Sequence, residues 1–300
     1  MTSIATAAFY ARSTGDIASL RARAEGLQGD LARGERLTRS SQDPVAAARL
    51  RALSRADASA SIDAEAASRA SADLQLADDA LTGFTDAIGR ARELATQAAS
   101  GTLNPDQRKA IGTELAQLNA SLFDLANARD SAGHALFGGE TAGSAYALDA
   151  AGNAAYVGTA SAAMLDLGDG QSVTRGVTGP EFLNSSATDL FATLKGLADA
   201  LQGAVADPAA AARTALTTLD VGLATVTTAQ TVVGARLNRI DLATTRAAQR
   251  GEARDIEQAA VGGTDIAATV TRLQETMTVL EASQAGFARL SALSLFDQIR

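Results

Sequence analysis

Apolar residues recur along the last stretch of the chain, roughly Asp265 to Leu295, at Ile266, Val270, Leu273, Met277, Leu280 and Phe287, with Gln284 in the one polar slot. The steps alternate four and three, the pattern of a helix that packs along another helix. Few residues off that stripe are large and apolar until Leu290, Leu293, Leu295 and Phe296. A stripe this narrow cannot bury itself, so it demands a partner. The opening of the chain offers one, because Ile17, Leu20, Ala24, Leu27 and Leu31 repeat with the same alternation. The spacing predicts that the two ends pair and that everything between them is an excursion from that pair.

Composition agrees with slender helices rather than a thick core. The hydrophobic fraction is 46%, but much of it is alanine, aromatics are 4% and tryptophan is absent. Alanine has the best helix propensity and buries little area. Arginines 12, 21, 23, 33, 36 and 39 outnumber the acids in residues 1–40, whereas acids outnumber arginines in 256–300. Opposite signs on two helices that pair fit steering by flanking positions.

The four prolines, Pro44, Pro105, Pro180 and Pro208, mark candidate boundaries. A first amphipathic helix is expected from Ile17 to about Arg39, weakened by Gly26, Gly29 and Gly34, each costing about 1 kcal/mol against alanine. Asp43 before Pro44 reads as an N-cap followed by the first helical residue. A long helix then runs to about Ser100 with its seam at Leu50, Leu53, Asp57, Ala60, Ala64, Ala67, Ser71, Leu74, Leu81, Ile88 and Leu94. Asn104-Pro105 starts another helix, to about residue 130. Residues 138–185 hold much of the glycine, Tyr146 and Tyr156, and short extended pieces at Ala154–Val157 and Ser172–Val177, which together read as β-hairpins. Helix is expected again from Ser186 to about Val205 and, after Asp207-Pro208, from Ala209 to about Ala260. Gly262-Gly263 breaks it, and Asp265 caps the last helix. The resulting organisation is mainly α: a terminal coiled coil of residues 1–43 and 261–300, a helical rod of 44–137 and 186–260, and a β-rich insert of 138–185. It amounts to a long antiparallel helical hairpin with a knob at its far end.

Several function classes fall away. A net charge of −8 argues against nucleic acid, whose phosphates need a basic surface. With no cysteine there is no disulfide framework and no thiolate site. No run is long and apolar enough for a membrane span, and with only two lysines in the whole chain residues 1–40 would make an unusual membrane-surface helix. The first residues, MTSIATAAFYARSTGD, lack the basic start and apolar core of a secretory signal. The one histidine, His134, has no cysteine or second histidine to work with, and packing in its turn is the expected role. Acid pairs such as Asp78-Asp79 and Asp255/Glu257 read as solvated helix faces. Gly138-Gly139 and Gly262-Gly263 lack the context of a phosphate loop. No catalytic, metal or cofactor site is expected, and the chain does not read as an enzyme.

Four motifs in order carry a resemblance. Residues 41–49, Ser-Gln-Asp-Pro-Val-Ala-Ala-Ala-Arg, resemble the "DDPVAAAR" of bacterial hook-filament junction proteins, the hook-associated protein 3 branch of the flagellin family. Residues 91–102, Ala-Arg-Glu-Leu-Ala-Thr-Gln-Ala-Ala-Ser-Gly-Thr, are similar to the "RARELAVQAANGT" shared by flagellins and the junction proteins. Residues 124–127 with 133–139 are similar to "LAN…G.YLFGG", and residues 290–297 to the usual "LSLFD" ending. The matching positions are Asp43, Pro44, Arg49, Arg92, Glu93, Asn127, Phe137 and Gly138. Gln42 departs from the acid pair, and the first helix is unusually rich in glycine.

The resemblance implies an inner coiled coil of the two termini, a helical rod outside it and a protruding β domain. It also implies self-assembly, a hook-side junction protein and flagellin as neighbours, an export chaperone on the C-terminal segment, and an extracellular place on the flagellum reached by type III export without a cleaved signal. The assembly interface expected from the seams is Ile17, Leu20, Leu27, Leu31, Ile266, Val270, Leu273, Met277, Leu280 and Phe287. The alternative is a filament-forming flagellin, or a flagellin-like surface protein whose insert binds a polysaccharide through Tyr146 and Tyr156.

Overall fold

The computed structural model describes residues 2–37, 39–168, 170–185 and 188–297, and the side chains among them except those of residues 2–7, 185 and 291–297. The Leu293, Leu295 and Phe296 side chains, and residue Ser186, therefore lie outside what is described. The order of elements is α1 (Thr2–Arg33), α2 (Pro44–Ala99), α3 (Pro105–Ala126), β1 (Tyr146–Leu148), β2 (Ala154–Tyr156), β3 (Met164–Asp166), β4 (Ser172–Thr174), β5 (Asn184–Ser185), β6 (Thr188–Asp189), α4 (Leu190–Asp199), α5 (Pro208–Gly262) and α6 (Ile266–Asp297). Contacts group them into two units, residues 1–58 with 250–300, and residues 59–249. The fold is mainly α, with an insert of short hairpins between α3 and α4. Helix α2 starts at the expected 43/44 boundary, whereas α5 runs through 260/261 to Gly262, and the two units divide α2 and α5 within their lengths.

Helix starts follow local chemistry. Asp43 Oδ1 accepts the Ala46 N–H at 3.0 Å, with Pro44 in the first helical position. Asn104 and Gln107 form a reciprocal capping box ahead of α3, the Gln107 N–H reaching Asn104 Oδ1 at 2.8 Å. Asp207 and Asp265 cap α5 and α6 with one bond each, accepting the Ala210 and Ala268 N–H groups at 3.0 Å. The first helix begins at Thr2 rather than Ile17, because the alanine-rich opening is itself a good helix former. It stops at Arg33 rather than Arg39, because Gly34 takes a φ of 72° that leaves the helix.

In residues 59–249 the core is a layer of small and aliphatic side chains. From α2 come Leu74, Leu81, Phe84, Ile88 and Leu94, from α3 Ile111, Leu115 and Leu122, and from α4 Leu190, Leu194 and Leu197. Helix α5 contributes Ala212, Leu219, Val226, Val233 and Ile240, one residue every seventh, a seam the sequence reading did not single out. Gly222 is buried against Leu190 with no room for a Cβ, which brings α5 close to the start of α4.

The insert consists of three two-stranded antiparallel hairpins, β1–β2, β3–β4 and β5–β6. Tyr146 pairs with Tyr156 and Leu165 with Val173. Helix resumes at Leu190, later than expected, because Thr188-Asp189 first pairs back to Asn184-Ser185, and Asp189 then caps α4 through the Ala192 N–H at 2.9 Å. Helix α4 runs out through a π-helical turn, Ala200–Ala204, where Gly203 takes a φ of 111°.

Candidate assembly interface

The two ends of the chain form an antiparallel helix pair. Tyr10 near the start of α1 stacks edge-on to Phe287 near the end of α6, with ring centroids 5.5 Å apart at 88°. Along α1 the covered positions are Tyr10, Ser13, Ile17, Leu20, Ala24, Leu27 and Leu31, one stripe of alternating three and four steps. Ala24 is the buried one, so the helices approach closely at mid-length.

Helix α6 answers with a stripe rotated from the one its apolar residues suggest. Leu273, Leu280 and Phe287 turn toward α1, and Val270 is half-covered. The positions between them are filled by buried Thr269 and Thr276. Ile266 and Met277 stand 63% and 38% exposed, and Val279 on the other flank 51%. Every seventh residue from Leu273 suffices to fill the α1 seam, and threonine is small enough to let the helices close. The Thr276 hydroxyl donates to the Arg272 carbonyl at 2.7 Å, so its burial leaves no orphaned donor. The apolar residues displaced from the pair remain as stripes on either side of it.

The junction motif residues have definite partners. Asp43 caps α2 and lies 3.7 Å from the Arg36 guanidinium. Arg49 donates to both oxygens of Glu257, at 2.5 and 2.8 Å, joining α2 to α5. That hydrogen bond first, and the opposite charge second, hold the Glu257 carboxyl below its usual range and the Arg49 guanidinium above its own. Asp57, the polar residue in the α2 seam, is explained by the same helix face. It accepts from Arg254 at 2.5 Å and from Gln258. Arg92 reaches Asp220 at 2.6 Å, and Glu93 shares Arg90 with Glu114 of α3. Asn127 ends α3 and its Oδ1 accepts the Tyr146 N–H at 2.9 Å, fixing where the insert leaves the helices. Phe137 is fully buried between Phe84 and Phe182, at 6.1 and 5.1 Å. Gly138 has Thr141 and Ala135 against it, and Gly139 holds a φ of 72° hard against Thr159.

The tyrosines of the insert are structural. Tyr146 is buried against Tyr156 and Phe191, and its hydroxyl donates to Asn184 at 2.7 Å. Burial pushes its ionisation upward, with Tyr156 and Asp189 adding to it. Tyr156 donates to the Thr159 carbonyl at 2.6 Å. His134 is exposed rather than packed. Asp130 organises its turn instead, accepting the backbone N–H of His134 at 2.8 Å and of Ala132 at 2.9 Å. Desolvation by itself raises that carboxyl, but these hydrogen bonds outweigh it and hold it below the usual range. Beside this turn a hollow of about 370 Å³ is lined by Asp73, His134, Glu140 and Arg175, yet Arg175 and Asp73 neutralise one another at 3.0 Å. Among the described residues no group of three or more His, Asp or Glu gathers as a metal site, and no helix is long and apolar enough to cross a membrane.

Residues 4–142 match the bacterial flagellin N-terminal helical region. The chain is 29% identical over 284 residues to the flagellar hook-associated protein 3 of Escherichia coli (strain K12), covering 88% of this chain and 89% of that one. The chain is thus similar to bacterial flagellins over its first part and to a hook-associated protein 3 over most of its length. The flagellar hook-associated protein 3 of Salmonella typhimurium is 30% identical over 182 residues, 61% of this chain and 57% of that protein. A flagellar hook-associated protein from Vibrio parahaemolyticus has the same fold, with a TM-score of 0.69 at 21% identity, over 74% of this chain and 100% of that one. The likeness to curated proteins runs to flagellar hook-associated protein 3. The exposed stripes beside the α1–α6 pair are what sequence reading missed. The signal was present, since α6 carries more apolar residues than one seam can take.

Proposed function

We propose that this chain is the adaptor at the hook-filament junction, seated between a hook-side junction protein and the flagellin filament. It is exported through the flagellar type III channel without a cleaved signal, an export chaperone guards α6 meanwhile, and it assembles through its terminal helices. The observation that carries this reading is the α1–α6 pair, whose seam is narrow and whose Ile266, Met277 and Val279 remain uncovered. Ordering a residue costs about 1–2 kcal/mol, so slender helices of this kind become firm only when neighbours cover such stripes. The likeness to hook-associated protein 3 supports the junction over a filament role.

Electron microscopy of cells lacking the gene, with flagellin in the medium assayed alongside, tests it. Bare hooks with flagellin shed into the medium are expected. Hooks bearing normal filaments would overturn the junction role and point to a minor filament subunit.

A further inference from the structure

Between the terminal pair and the α2–α5 hairpin root the chain crosses twice, at residues 34–43 and 262–265, and the two crossings are tied to each other. The Arg36 N–H donates to the Gly262 carbonyl and the Thr264 N–H to the Gly34 carbonyl, both at 2.9 Å, around an antiparallel bridge between Glu35 and Gly263. Thr264 Oγ1 adds a bond to the Asp30 carbonyl at 3.3 Å, on the last turn of α1. The glycines are there for space. A Cβ on Gly263 would run into the Ala259 carbonyl, and one on Gly262 would meet Leu50 of α2 at 3.0 Å. Arg36 reaches furthest. Its guanidinium donates to the Val261 carbonyl at 3.2 Å, at the end of α5, and lies 3.7 Å from Asp43, the cap of α2.

One residue thus touches the exit from α1, the last turn of α5 and the first turn of α2. We propose that Arg36 and the two bridged crossings form a clasp that couples the ordering of the terminal pair to the root of the α2–α5 hairpin. When α1 and α6 close on each other, the crossings are held side by side and Arg36 spans them. When the pair opens, Gly34 and Thr264 part, and the Val261 and Gly262 carbonyls and the α2 cap lose their shared donor. The clasp rests on the reading that the terminal pair orders on assembly, but it makes a claim about the single chain.

Hydrogen exchange on the full-length chain tests that claim apart from any flagellar phenotype. Leu280→Glu opens the pair from within α6, remote in sequence from the crossings. It is expected to speed exchange about tenfold or more at the Arg36 and Thr264 amides and at Ala46 and Ala47 in the first turn of α2. Arg36→Ala is expected to speed the same amides while sparing those of α5 between Leu219 and Val233, and Arg36→Lys to fall between it and the native chain. Native rates at Ala46, Ala47 and Thr264 in Leu280→Glu overturn the coupling, whatever Arg36→Ala does. Bare hooks or normal filaments in the deletion strain bear on the junction role alone, so the two failures are distinguishable.

Discussion

Gly139 concentrates several demands on one position. It follows Phe137 and Gly138 in the Phe-Gly-Gly run, holds a φ of 72°, and lies against Thr159, whose Oγ1 accepts the Glu140 N–H at 2.7 Å and whose backbone N–H donates to the Gly138 carbonyl at 3.0 Å. Any side chain there pays both backbone strain and collision, about 1–3 kcal/mol for the first alone. Gly139→Ala is therefore expected to lower the thermal unfolding midpoint, whereas Gly170→Ala, at a φ of 70° with open space around it, pays only the strain. Calorimetry of the two variants separates the terms, and equal midpoints would remove the collision from the account. The same logic orders the other motif residues. Arg49, Arg92 and Asn127 are each legible in the sequence as a motif letter, but their partners Glu257, Asp220 and Tyr146 come from distant stretches. Spacing along one segment could not supply them.

At the scale of elements, what was legible was local. Cap-plus-proline starts and glycine stops rest on a few neighbouring residues, and Asp43, Asn104, Asp207 and Asp265 could be read directly. The rotation of α6 was not, because Leu273, Leu280 and Phe287 serve two stripes at once and only the partner decides which companions go inward. The third hairpin escaped because its strands are two residues each and carry no alternation. The Asp130 turn adds a pH dependence at this scale. Its hydrogen bonds hold the folded carboxyl below its value in the unfolded chain, so its stabilisation is complete above about pH 4 and is lost as pH falls through the folded value. The difference in unfolding midpoint between the native chain and Asp130→Asn is accordingly expected to be largest near neutrality and to shrink in acid. A difference that persists unchanged at pH 2.5 would mean that packing, not ionisation, holds the turn.

At the scale of the whole molecule, the contact grouping places both termini in one unit and the insert with its supporting helices in the other. Among the described residues, the buried core cluster of residues 67–243 includes none of α1 or α6. Removing the last 30 residues, or placing glutamate at both Leu273 and Leu280, should abolish assembly while the cooperative unfolding of residues 59–249 survives. Circular dichroism melts beside a sedimentation assay decide it: variants that still assemble would sink the coiled-coil account. Loss of the melt would show that the second unit depends on the first.

The edge-on contact of Tyr10 with Phe287 has an optical consequence. The chain has no tryptophan and three tyrosines, of which the other two belong to the insert. Replacing Tyr146 and Tyr156 by phenylalanine leaves a single emitter, placed where α1 meets α6. Its fluorescence anisotropy then follows the closing of the two ends in real time, in an otherwise unlabelled chain.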